Sequence, residues 1–323
     1  MNREPKKHHY VPRLILKNFC FGTKNTIYVL DKKRGHVFTS SLEDTASENY
    51  FYNDRNANHE KNTETKLGEL ENLSVPIFDR INSEESLLHL TAYERGIICL
   101  FVAVQMLRTN NNRESMLKMN RAICDWVRRS GYDPNKDVED FKEMSKVDAK
   151  QFSIAMLRTA AGQFAKTLFA KDYCLIKAHK LASFYTSDNP VTMYNNFPRP
   201  GRGNLGLALK GIEIHFPISP KLCLTFMCSQ TVDEIRTRVN RYRALKASGI
   251  YCPVDMSEPE MFVDQFDKRI VRELRPENME FHNSLQVSQS SRFLYSQNND
   301  FELAKDMLRA NPELKEPASC LSI

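Results

Sequence analysis

The chain has 323 residues, 41% of them hydrophobic and 27% charged, with a formal net charge of +6. This composition excludes a disordered body or a fibre and supplies enough apolar surface for a sizeable core. The positive balance favours a polyanion as partner, nucleic acid before acidic small molecules. No apolar run approaches the roughly 20 residues that span a bilayer, and the basic start MNREPKKHHYVP is not followed by an apolar segment. A cytoplasmic protein without a membrane association is therefore expected.

Along the chain, Pro12 is expected to open a short helix carrying Leu14, Ile15, Leu16 and Phe19, with His8 and His9 just before it. TIYVL and HVFTS read as a β-hairpin closed by the loop Asp31 to Gly35, and 47–53 as a further strand. From Glu60 to Leu73 the pattern is helical, with Pro76 as its stop and Glu64 in its early turns. Thr91 to Thr109 is the central helix. It is apolar on every side from Ile97 to Val104 and must be surrounded.

Asn110-Asn-Asn-Arg113 is expected to break it before a helix from Glu114 to Arg129 that buries Met119, Ala122, Ile123 and Trp126. One long amphipathic segment follows from Val138 to Phe169. After Asp172 the runs YCLIKA, ASFYTS, IEIHFPIS and KLCLTFMCS alternate as strands of a C-terminal sheet. The Gly- and Pro-rich stretch 197–211 between them reads as a flap or a surface loop. Thr231-Val-Asp-Glu234 has the form of a capping box for a helix to Ala247, from which Arg236, Arg238, Arg241 and Arg243 project as candidate phosphate contacts. A helix from Pro259 to Leu274, then a loop and last strand over 281–296, complete the body.

The expected fold is thus α+β: a mostly helical middle around helix 91–109, an N-terminal β-hairpin and a C-terminal mixed or antiparallel sheet. One compact domain, 1–310, is followed by a frayed, flexible tail, 311–323. Eight cysteines without a Cys-x-x-Cys read as reduced thiols. The terminal Cys320-Leu-Ser-Ile is not expected to be prenylated, because Ser322 is not aliphatic and no polybasic run precedes it.

Four places carry polar residues that packing alone does not explain: His9, Glu64, the turn Gln105-x-x-Arg108-Thr109, and Ser187-Asp188-Asn189-Pro190 at a strand end. Residues i, i+3 and i+4 share a helix face, so Gln105, Arg108 and Thr109 continue a buried helix with groups that need partners. Taken as chemistry, the set offers a general base or metal ligand in His9, two carboxylates in Glu64 and Asp188, a forked cation in Arg108 and orienting groups in Gln105 and Asn189, with Ser187 as a further binding residue. Glu64 and Asp188 are the candidate ligands for Mg²⁺ or Mn²⁺, hard cations that suit phosphodiester hydrolysis; no zinc, haem or nucleotide cofactor is indicated. The plainer alternatives are a solvated His9, a structural turn at Asp188-Asn189-Pro190 and solvated arginines on the 231–247 helix.

His9-Tyr-Val-Pro12 with Leu16 and Phe19, Gln105-x-x-Arg108-Thr109, Phe184 to Val191, and Phe216-Pro-Ile-Ser-Pro220 together resemble the family called domain of unknown function 4238, over about residues 8 to 296. The resemblance places family motif positions on His9, Glu64, Gln105, Arg108, Ser187, Asp188 and Pro190, with Glu60, Glu69 and Glu71 as rivals of Glu64 and with Asn283 and Arg292 as weaker members. It implies a bacterial protein of a group in which some members defend the cell against phage, hence a phage-derived trigger as a possible partner. Three readings follow. The first is a metal-dependent nuclease acting on RNA or DNA. The second is a non-catalytic sensor of a phage component, nucleotide or nucleic acid, and the third a buried polar network that only rigidifies the core.

Overall fold

Thr91 caps the central helix through a reciprocal box with Glu94, and the helix then runs Ala92–Leu107. The computed structural model describes residues 7–49, 51, 63–139, 141–197 and 203–317. In chain order the elements before and after this helix are β1 (Lys7–His9), α1 (Arg13–Leu16), β2 (Thr26–Asp31), β3 (His36–Ser41), β4 (Ser47–Asn49), α2 (Thr63–Glu84), α3 itself, α4 (Asn110–Arg129), α5 (Lys146–Thr159) and α6 (Ala161–Phe169). The fold is α+β, with a mostly helical middle, N-terminal antiparallel strands and a C-terminal mixed sheet. Phe101 of α3 lies 5.1 Å from Phe78 of α2 and 6.2 Å from Phe216 between ring centroids, so one aromatic cluster joins two helices to the sheet. Burying each such ring contributes roughly 1.5–3 kcal/mol.

Several boundaries differ from expectation for local reasons. Pro76 lies inside α2. A mid-helix proline costs about 3 kcal/mol, and burial of Ile77, Phe78 and Ile81 beyond it offsets that cost. The expected first residues of this helix, Glu60 among them, lie outside the described residues. The three asparagines do not separate helices: Thr109 accepts from the Asn112 N–H at 3.4 Å and makes them the first turn of α4. That helix buries Arg113, Met116, Leu117, Asn120, Cys124 and Val127, and leaves Met119, Ile123 and Trp126 exposed. The buried stripe is therefore the neighbouring one to that expected. The segment 138–169 is two helices, because Ser145 and Asp148 form a capping box at the start of α5 and Ala160 separates it from α6.

The second half comprises β5 (Asp172–Lys177), β6 (Thr186–Ser187), β7 (Thr192–Asn195), β8 (Ile212–Pro217), β9 (Leu222–Met227), α7 (Ser229–Ala247), α8 (Ser257–Asp267), β10 (Arg272–Glu273), α9 (Pro276–Gln289), β11 (Phe293–Ser296) and α10 (Glu302–Ala310). One sheet has the order β10-β5-β9-β8-β7, antiparallel except for the β10–β5 pair. A second sheet, β3-β2-β11-β6, places the last strand of the chain between the N-terminal hairpin and Thr186–Ser187. The ASFYTS run therefore belongs with the hairpin and not with the C-terminal sheet. β1 and β4 form a separate pair, with His9 opposite Ser47.

Helix α7 starts at Ser229 without a side-chain cap, so Thr231 sits in its first turn and the expected capping box does not form. Arg269, at φ 55, ends the α8 region early and lets Arg272–Glu273 pair as a strand. The stretch expected as a loop before the last strand is helix α9, whose buried face carries Asn283 and Gln286 among its apolar residues. From Asn311, where fraying was expected, a 3-10 turn spans Pro312–Lys315 and Glu316 pairs with Lys33 at 3.2 Å. Cys320 and the rest of 318–323 lie outside the described residues, as do 198–202 of the Gly- and Pro-rich loop. Among the described residues no cysteine is disulfide-bonded, and no helix is long and apolar enough to cross a membrane.

Candidate functional site

The last turn of α3 carries its polar groups into the interior, and each finds a partner. Gln105 is fully buried; its Nε2 donates to the Tyr10 carbonyl at 3.0 Å, and its Oε1 accepts from Arg108 Nε at 2.8 Å. Arg108, the C-cap, donates from Nη1 to Glu71 Oε1 at 2.8 Å. The chain thus ties α3 to α2 and to the backbone between His9 and Pro12. Of the glutamates competing for a role beside the arginine, Glu71 holds it. Arg108 Nη2 is buried and has no acceptor among the described residues.

In front of this network lies a polar cleft of about 380 Å³, lined by Lys7, His9, Arg13, Glu43, Glu64 and Glu71. Strand pairing of β1 with β4 fixes His9 at one wall. Glu64 in the first turn of α2 and Glu71 seven residues on share a helix face, as two turns of 3.6 residues require. Burial first, and the Glu71 charge second, push the Glu64 carboxyl up to about 7 against the opposing pull of Arg108. Burial also lowers His9, reinforced by Arg13 and opposed by a hydrogen bond to the Leu42 backbone and by Glu71. A neutral imidazole and a carboxyl poised between its forms therefore face one opening near neutral pH. His8, which carries no motif of its own, is buried, with Nδ1 4.0 Å from Glu64 Oε2. Lys7 pairs with Asp44, and Arg13 with Glu43 at 3.0 Å, as exposed ion pairs. Such pairs are worth at most about 1 kcal/mol, so an incoming anion can replace either carboxylate.

The Ser187-Asp188-Asn189-Pro190 motif forms a different construction. Asp188 Oδ1 accepts from the Ser291 N–H at 2.7 Å, and Oδ2 accepts from Arg292 and Phe293 N–H at 2.7 and 2.9 Å. Ser187 Oγ donates to Gln286 Oε1 at 2.7 Å, and Asn189 Nδ2 donates to the Gln289 carbonyl at 2.9 Å. Together they clamp the turn between α9 and β11. Burial drives the Asp188 carboxyl upward against the pull of the three N–H donors and the Lys32 ammonium. Lys32, fully buried and held by the Val287 and Ser290 carbonyls at 2.8 and 2.7 Å, has its own pKa lowered to about 8, by burial first. Asn283 bonds the Tyr185 N–H and the Ser183 carbonyl, and Arg292 forks onto Asp31 at 3.1 and 2.7 Å. Thr109 and Asn189 instead meet at a second cavity.

The arginines of α7 divide. Arg236 binds Asp172 at 3.1 Å, as well as Asp233 and Asp267, and Arg243 binds Glu260 and Asp264 at 2.9 and 3.1 Å. Arg238 and Arg241 are exposed. Half of the expected phosphate-binding row is thus committed to carboxylates of the neighbouring elements.

The donors expected for Mg²⁺ or Mn²⁺ do not come together. Asp188 does not line the cleft that holds Glu64, and backbone donors occupy both of its oxygens. Among the described residues no group of three or more His, Cys, Asp or Glu side chains is arranged to hold a metal ion. The Glu64–Asp188 pair therefore does not fit a divalent cation.

Fold and site define an α+β protein in which a buried arginine, amide and carboxylate network backs an open histidine and glutamate cleft. The chain belongs to the family described as protein of unknown function (DUF4238), whose model matches residues 7–300. No curated protein and no solved structure matches it.

Proposed function

We propose that this protein is a nuclease that cleaves phosphodiesters in RNA or DNA at the His9–Glu64 cleft, and that it serves bacterial defence against phage. One observation carries the chemical part: a carboxyl with a pKa of about 7 and a histidine lowered by burial line one open cleft together with Lys7 and Arg13. Phosphodiester hydrolysis needs a base for the attacking oxygen and an acid for the departing one. Neutral His9 takes a proton from the attacking water as the new P–O bond forms. Protonated Glu64 gives its proton to the leaving oxygen as the old P–O bond breaks. Lys7 and Arg13 attract the phosphoryl oxygens, and burial, helped by Glu71, favours the protonated form of Glu64. Exchange with water returns both groups to their starting forms. No step is assigned to a metal ion, and the assay below asks whether one is required.

A recognition protein without turnover is the second reading. Its support is that Arg108 and Asp188, the groups expected to meet phosphate or metal, both have internal partners. The test is cleavage of labelled RNA, single-stranded DNA and plasmid by the purified chain, in Mg²⁺, Mn²⁺ and EDTA, beside His9→Ala and Glu64→Gln. The proposal expects cutting that both substitutions abolish while thermal melting is preserved. Cutting that survives both would overturn it. The defence role is read separately by phage plating on cells expressing the wild-type chain or His9→Ala; equal plating on both would contradict it.

A further inference from the structure

The two family motifs that do not meet at the cleft meet elsewhere. Thr109, directly after Arg108, and Asn189, directly after Asp188, line a cavity of about 310 Å³. We infer that this cavity is a binding site for an uncharged nucleobase or nucleoside. This inference does not depend on the cleft being catalytic.

Size, charge and lining all point to that class. The volume is at the lower end of small-ligand pockets and suits one heterocycle with its sugar. Among the described residues no Lys, Arg, His, Asp or Glu lines it, so there a phosphate or carboxylate would lose its hydration without a counter-charge. Met106 at the end of α3, Met156 of α5 and Phe164 of α6 supply polarisable and aromatic surface against which a flat ring packs. The polar groups come from α4 and from the turn after β6. Asn111 Oδ1 is buried and accepts from no donor among the described residues. Asn189 uses Nδ2 on the Gln289 carbonyl, which fixes its amide and leaves Oδ1 as an acceptor. Side-chain amides of this kind pair with the mixed donor and acceptor edge of a base. Ser115, one helical turn beyond Asn111, adds a hydroxyl for a ring or ribose atom.

The wall that Gln289 and Met193 contribute is equally well determined. Gln289 both accepts from the Met193 N–H and donates to the Met193 carbonyl, at 3.0 and 2.7 Å, so the β7 side of the pocket is fixed before any ligand arrives. A bound ring would also touch the residue next to Arg108, which places the pocket one peptide unit from the network behind the cleft.

The experiment is calorimetric titration of the full chain with adenosine, guanosine, cytidine and uridine, and with ribose 5-phosphate as a charged control. We expect one-site saturable binding of at least one nucleoside and none of the sugar phosphate. Met156→Trp, which fills the cavity, should abolish it, and Asn111→Ala should weaken it about tenfold. His9→Ala should leave it unchanged. If Met156→Trp does not fold, Ser115→Phe fills the same space from α4. Absence of saturable binding by every nucleoside, wild-type affinity in the filled variant, or loss of binding in His9→Ala would each overturn the inference, the last by moving the ligand to the cleft.

Discussion

Arg108 and Glu71 meet at 2.8 Å across the junction of α3 and α2, with the arginine side chain 2% exposed and the glutamate 29%. This contact is the hinge between the core and the cleft, because its carboxylate also faces Glu64. Removing one partner of a pair this deep costs about 3 kcal/mol, since the other charge is left without compensation. Arg108→Ala is expected to lose that much in urea denaturation and also leaves Gln105 Oε1 without its donor. Arg108→Lys recovers little, because a point charge cannot reach both acceptors.

Burial sets most of the proton affinity of Glu64, and the same pair adjusts it. Glu71 raises the Glu64 pKa by like-charge repulsion. Glu71→Gln should therefore bring it down from about 7. Carboxyl titration by NMR on the two proteins reads this directly, and an unchanged Glu64 would mean that burial alone sets its value.

Glu64 also makes stability depend on pH in a defined direction. Its folded pKa of about 7 lies above the ordinary 4.5, so protonation favours the folded state. The contribution is fully present below pH 4.5 and is lost as pH rises towards about 7. With the carboxyl partly open to solvent, the loss is about 1 kcal/mol. Glu64→Gln, which cannot ionise, should show no such loss, and chemical denaturation of both proteins across that range compares them.

Asp188 makes the contrasting prediction. Asp188→Ala strips the acceptor from three backbone N–H groups and leaves Lys32 buried without its carboxylate. A cost of about 3 kcal/mol or more is expected in thermal or urea unfolding. Asp188→Asn keeps one acceptor and should lose less. If both variants melt like the wild type, the motif is not the clamp described.

Much of this architecture was legible in the sequence, and what was not has physical causes. Helix α3 was readable because a run apolar on every side has few alternatives, and the β2–β3 hairpin because its turn and alternation are local. Helix α9 was hidden because Asn283 and Gln286 face inward to bond the backbone of Tyr185 and Pro190 on either side of β6, which breaks the apolar stripe. The pairing of Thr186–Ser187 with Phe293–Ser296 joins strands a hundred residues apart and leaves no local mark. At the site, His9, Glu64, Gln105 and Arg108 could be selected as polar residues beside packed segments. Their grouping could not: Glu71 looked like one of several glutamates, and Asp188 like a ligand, until the main chain of 291–293 was seen to occupy it.

The central claim is that protonated Glu64 and neutral His9 act together on a phosphodiester, and the pH dependence of cleavage tests it most directly. Cleavage of labelled RNA and DNA would be followed from below the His9 pKa to well above 7. The account predicts a rate that rises as His9 loses its proton and falls as Glu64 loses its own, with the falling limb centred near 7 and moved lower in Glu71→Gln. No cleavage at any pH, or a rate that climbs through 7 and is indifferent to Glu64→Gln, would contradict it and leave recognition as the work of the cleft.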